Sequence, residues 1–183
     1  MVSLSSFVCS FPSVAFSGSR VSGSSASVSC GAFLPVLASF SGAVAVGCAS
    51  GVDLCVRSAF PSASVFSVSS FLVGGRVCRA SFARRSSALV QWCASAGGLL
   101  VAFPLGACPS AVAPSVSFGG CGSGSWGSVA LAVGLGCSVL VVLPSGAFPA
   151  PSALASRFRF VGVAPCGGSL WLSSPAPVQL SLF

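Results

Sequence analysis

Lysine, glutamate, histidine, tyrosine, asparagine, threonine and isoleucine are all absent from this 183-residue chain, and Asp, Gln and Met occur only as Asp53, Gln91, Gln179 and Met1. The missing types share no side-chain property, but every codon for each of them contains an adenine. The types that fill the chain (Ser, Ala, Val, Gly, Leu, Phe, Pro, Cys, Arg and Trp) can all be encoded without adenine. Stop codons also contain adenine, so an adenine-poor strand stays open over long stretches with no selection for a protein. The leading expectation is therefore a fortuitous open reading frame with no specific biochemical function.

Each absence excludes chemistry. General acid–base catalysis needs a group that titrates near neutral pH or a pair of carboxylates. Here there is no imidazole, no lysine amine, no phenol, and a lone carboxylate side chain at Asp53. The many serines have no base to activate them, and a cysteine nucleophile has no imidazole partner. Without Asn there is no N-glycosylation acceptor. The chain is expected not to be an enzyme and to use no cofactor; no catalytic, cofactor-binding or metal-binding residue is nominated.

Charge is scarce as well. Charged residues make up 5% of the chain, where about 25% is usual. The hydrophobic share is 54% and the mean hydropathy +1.01, which predicts poor solubility in water. The net charge of +7 comes from Arg20, Arg57, Arg76, Arg79, Arg84, Arg85, Arg157 and Arg159 against Asp53. Nucleic-acid surfaces normally add Lys, Asn, Gln or Tyr for phosphate and base contacts. No nucleic acid and no small-molecule substrate is expected as a partner.

What is present in quantity is cysteine, glycine, proline and serine. Ten cysteines suit a disulfide framework in a secreted chain, but none form a C-x-x-C pair and no His completes a zinc site. The start of the chain resembles a secretory signal weakly: residues 1–17 are apolar but interrupted by Ser3, Ser5, Ser6 and Ser10, and no basic residue precedes Arg20.

No Arg or Asp occurs over 86–156, and two uncharged runs stand out there, ALVQWCASAGGLLVAFPL at 88–105 and WGSVALAVGLGCSVLVVLPSGAF at 126–148. Both approach the roughly 20 residues that span a bilayer. Arg76, Arg79, Arg84 and Arg85 before the first, with Arg157 and Arg159 after the second, would keep both outer ends cytoplasmic. This gives five segments: a Ser/Gly/Val/Phe-rich, low-complexity 1–87, a candidate membrane helix at 88–105, a Gly/Ser/Pro loop at 106–128, a second candidate membrane helix at 129–148, and a Pro/Ser-rich tail at 149–183. A small two-span membrane protein contacting the lipid bilayer is thus the first alternative function, and a secreted Cys-containing structural protein the second.

Two patterns remain. Ala59-Phe60-Pro61, Ala102-Phe103-Pro104 and Ala147-Phe148-Pro149 recur at a spacing near 44, with Cys78, Cys121 and Cys166 following at a constant offset. None of the signatures of propeller blades or helical repeats accompanies them, and a degenerate repeat in the underlying DNA accounts for them. Gly122-Ser123-Gly124-Ser125-Trp126-Gly127 fits the glycine string of dinucleotide sites, but no acidic residue follows Asp53 to hold a ribose, and 22 glycines make a chance match ordinary.

Because apolar residues hold no sustained period and Gly or Pro interrupts most elements, no compact globular fold is expected. The expectation is a largely irregular, low-order chain with one or two apolar helices at about 86–101 and 127–143, of which the uncharged run at 138–143 is the most adhesive part.

Overall fold

A computed structural model describes residues 3–119, 123–144 and 152–175. Four short apolar runs form its centre: β1 (Ser13–Gly18), β2 (Ala43–Gly47), β4 (Leu99–Phe103) and β5 (Ser138–Leu143). Each is buried along almost its whole length, on both faces, which is why none shows the alternation of a half-exposed strand. With β3 (Ser64–Phe66) they make a parallel sheet, and β7 (Ser169–Ser173) and β6 (Arg159–Val163) extend it as an antiparallel hairpin. The order across the sheet is β3-β2-β1-β4-β5-β7-β6.

Helices cover both faces. On one lie α1 (Leu4–Cys9), α2 (Ser25–Phe33) and α3 (Val52–Ala59), packed through Val8, Phe33 and Val56 against Val14, Phe16, Val46, Val101 and Phe103. On the other lie α4 (Arg79–Ser95) and α5 (Gly124–Gly134), packed through Val90, Cys93, Val129 and Leu131 against Ala15, Ala45, Leu100, Ala102 and Val141. Neighbouring strand residues thus serve opposite cores, a three-layer α/β arrangement. Ser24 and Ser123 cap α2 and α5 by accepting the N–H groups of Ser27 and Trp126.

This corrects the expectation of an irregular chain without a compact core. The segment 1–87, expected to be low in order, carries three strands and three complete helices, and the 149–183 tail carries β6 and β7. The two apolar helices expected at 86–101 and 127–143 are each a helix followed by a strand. Both helices stop by the same device. Gly97, at φ 62°, donates to Ala94 O while Gly98 donates to Cys93 O; Gly136, at φ 73°, donates to Val133 O while Cys137 donates to Ala132 O. These are paired Schellman stops, in which glycine takes the left-handed turn that releases the chain into a strand.

The candidate membrane helix at 88–105 is therefore α4 running into β4, and that at 129–148 is α5 running into β5, with 145–148 outside the described residues. No described helix is long and apolar enough to cross a membrane. The apolar stretch that looked like lipid-facing surface is the protein's own core: Val141, within the adhesive run, is 1% exposed.

The 44-residue recurrence does not mark equivalent structural positions. Phe60 caps the end of α3 while Phe103 ends β4, and Cys121 and Ala147-Phe148-Pro149 lie outside the described residues. Because L-residues resist the left-handed turn by roughly 1–2 kcal/mol, Gly97→Ala is expected to lower stability by about that amount. The same substitution at Gly136 should add to it, as measured by urea unfolding of the single and double variants.

Candidate functional site

A cleft of about 930 Å³ opens at the carboxyl ends of β1 and β4, where the strand order turns from β3-β2-β1 on one side to β4-β5 on the other. Such reversals leave a crevice, because the chain leaves the two neighbouring strands toward opposite faces of the sheet. Its volume lies within the range of small-molecule sites.

The turn after β1 forms one wall. Ser19 N–H donates to Phe103 O at 3.2 Å, tying it to β4, and Ser19 O accepts from Val52 N–H at 3.0 Å, tying it to α3. Ser50 Oγ donates to Arg20 O at 2.6 Å, and Ser19 Oγ accepts from Val21 N–H. The Ser17-Gly18-Ser19-Arg20 turn is thus held by β4 on one side and by the start of α3 on the other.

The opposite wall is α4. Its N-cap Cys78 and first residue Arg79 stand at the cleft, and Phe82, Arg85 and Ser86 continue along it. The Arg20 guanidinium lies 4.7 Å from the centre of the Phe82 ring, spanning the walls by a cation–π contact. The N-terminus of α5 supplies Ser123, Gly124 and Ser125, and with them the partial positive charge of a helix start.

At the floor sits a buried ion pair. Asp53, in the first turn of α3, accepts from Arg85 Nη1 at 3.3 Å and from Ala49 N–H at 3.0 Å. Asp53 is 4% exposed and Arg85 8%. Burial pushes the Asp53 carboxyl above the usual carboxylate range, opposed by Arg85, by the Ala49 N–H and by Arg57. Gly47 is glycine for a steric reason: a Cβ there would strike Asp53 Oδ2 and the Arg85 guanidinium. The Arg85 Nε has no hydrogen-bond partner among the described residues, and a buried guanidinium donor left unpaired is costly.

Two thiols near the floor and rim are shifted toward the thiolate. Cys78 is lowered by the Ser81 N–H and hydroxyl. Cys48 is lowered by the Val68 N–H and by Arg85, which together outweigh its partial burial. In the interior the effect reverses, and burial pushes Cys30 up to about 12. No cluster of three His, Cys, Asp or Glu side chains able to hold a metal ion occurs among the described residues.

Sequence reasoning nominated no site residue, so Asp53, Arg85, Arg20 and Arg79 are all additions. The glycine string at 122–127 is partly placed: Gly122 is outside the described residues, while Gly124 and Gly127 open α5. The string does not follow a strand directly, since β4 ends at Phe103, so it departs from the dinucleotide pattern; its helix start nonetheless lines the cleft. A usable signal was present in the apolar runs VAFSG, AVAVG, LLVAF and SVLVVL, each bounded by Gly, Ser or Pro, which is the pattern of buried parallel strands. No protein-family model, curated protein or solved structure matches the chain.

Proposed function

We propose that the chain binds a phosphate-bearing small molecule of the mononucleotide class, without turning it over. The observation that carries this reading is the cleft at the strand-order reversal, which combines the N-terminus of α5 with Arg20, Arg79 and Arg85. Helix starts and guanidinium groups both favour phosphate oxygens. Phe82, which lines the same cleft, holds the Arg20 guanidinium in place over its ring. Binding without turnover is the better reading because Asp53, the one carboxylate side chain, is engaged by Arg85 and the Ala49 N–H.

The test is thermal unfolding of the full chain with AMP, ADP, pyrophosphate or adenosine. A ligand at about a hundredfold excess over its Kd stabilises by about 2.7 kcal/mol, which for a chain of this size raises the midpoint by roughly 5–10 °C. AMP and ADP are expected to do so and adenosine is not. Arg20→Ala and Arg79→Ala, both at exposed positions, are expected to weaken the response and its salt dependence. An equal response to adenosine would exclude phosphate recognition. The adenine-poor composition supports a second reading, a frame with no selected function, and absence of any response across the series favours that one.

A further inference from the structure

At the far end of the sheet from the cleft, two thiols touch. Cys93, in the last turn of α4, and Cys137, just before β5, hold their Sγ atoms 3.6 Å apart. Both are buried, and the Cys137 sulfur also lies 3.3 Å from Gly98 O. Among the described residues no other two sulfurs are in such contact.

From this contact we infer that Cys93 and Cys137 are a disulfide-forming pair, joined when the chain meets a small-molecule disulfide oxidant such as oxidised glutathione. The sulfurs must close by about 1.5 Å to reach bonding distance. Both cysteines flank Schellman stops, so the positions to be joined are already fixed by backbone hydrogen bonds: Cys93 O accepts from Gly98 N–H, and Cys137 N–H donates to Ala132 O.

The two thiols are not equivalent. The hydrogen bond between the two sulfurs lowers the Cys137 thiol, while that same bond and burial raise Cys93. Cys137, 6% exposed where Cys93 is fully buried, is the sulfur an oxidant reaches first and so the attacking one. As its thiolate it attacks one sulfur of the oxidant, breaks the oxidant's S–S bond and releases one thiolate, leaving a mixed disulfide on Cys137. Cys93, losing its proton, then attacks Cys137 Sγ and expels the second thiolate. The protein loses two electrons and two protons; the oxidant gains the electrons and, once protonated, leaves as two thiols.

The experiment exposes the native full chain to oxidised glutathione, blocks remaining thiols with an alkylating reagent, and maps crosslinks after pepsin digestion at low pH, where thiol exchange is suppressed. The expected result is an intramolecular link between the Cys93 and Cys137 peptides, with the thermal midpoint raised by roughly 5–10 °C. Cys93→Ala or Cys137→Ala should abolish the link and Cys108→Ala should keep it. The wild-type map stands even if a variant fails to fold. A dominant link between other cysteines overturns the inference. So does finding both thiols free after an exposure long enough to oxidise the urea-unfolded chain.

Discussion

Replacing Arg85 with alanine is expected to cost about 3–5 kcal/mol of stability at neutral pH, because it leaves the Asp53 carboxylate buried without its partner. The loss should depend on pH in a direction set by Asp53. Its carboxyl titrates above the ordinary value of 3.8 in the fold, so the native state holds that proton more tightly than the unfolded state does. Its favourable contribution is full below the unfolded value and is lost as pH rises through the folded one. Removing Arg85 takes away an influence that lowers this pKa, and the window moves further up. The deficit of Arg85→Ala is therefore expected to widen as pH rises and to shrink toward acid. Asp53→Asn in the same chain should recover part of it. Urea unfolding at several pH values reads both effects, and a deficit that stays flat with pH would argue against the buried pair.

Phe103→Ala is expected to cost about 3–5 kcal/mol through the cavity it opens. Phe103 ends β4, is fully buried, stacks on Phe16 at 6.5 Å and meets Phe33 edge-on at 5.6 Å. It joins two strands and α2 beneath the cleft, and its carbonyl accepts from Ser19 N–H in the cleft wall. Phe103→Leu keeps most of the volume and is expected to lose less than half as much. The denaturation midpoints of the two variants check the ratio.

The order of the fold was hidden by the same poverty of charge that defines the composition. A surface helix is normally betrayed by Lys and Glu on its outer face, but the polar positions of α4 are mostly Ser and Arg, and eight successive residues of α5, from Ser125 to Ala132, are buried. With no polar stripe to set a period, 86–101 and 127–143 resemble uniform apolar segments. The information that divides them lies in single glycines, Gly97 and Gly136, whose left-handed turns convert each run into a helix and a strand. The cleft was less legible still. Asp53 and Arg85 are isolated charges in the chain, and only the passage of α3 and α4 past the end of β2 brings them together. The scarcity of acid–base groups is plain in the sequence, but it speaks only to catalysis and gives no hint of a cleft lined by guanidinium groups and a helix start.

The central pair of the sheet carries a kinetic consequence. β1 pairs with β4, Val14 opposite Leu99, so the whole excursion through β2, β3 and the first helices must be looped out before that ladder can close. Parallel pairings between distant segments form slowly. Until β4 arrives, the inner edge of β1 stays open, flanked by apolar side chains with almost no charge nearby to deter a second chain. The vulnerable period for this protein is therefore its time on the way to the native state, and the yield of folded chain is expected to depend more on concentration during folding than on the stability reached at the end.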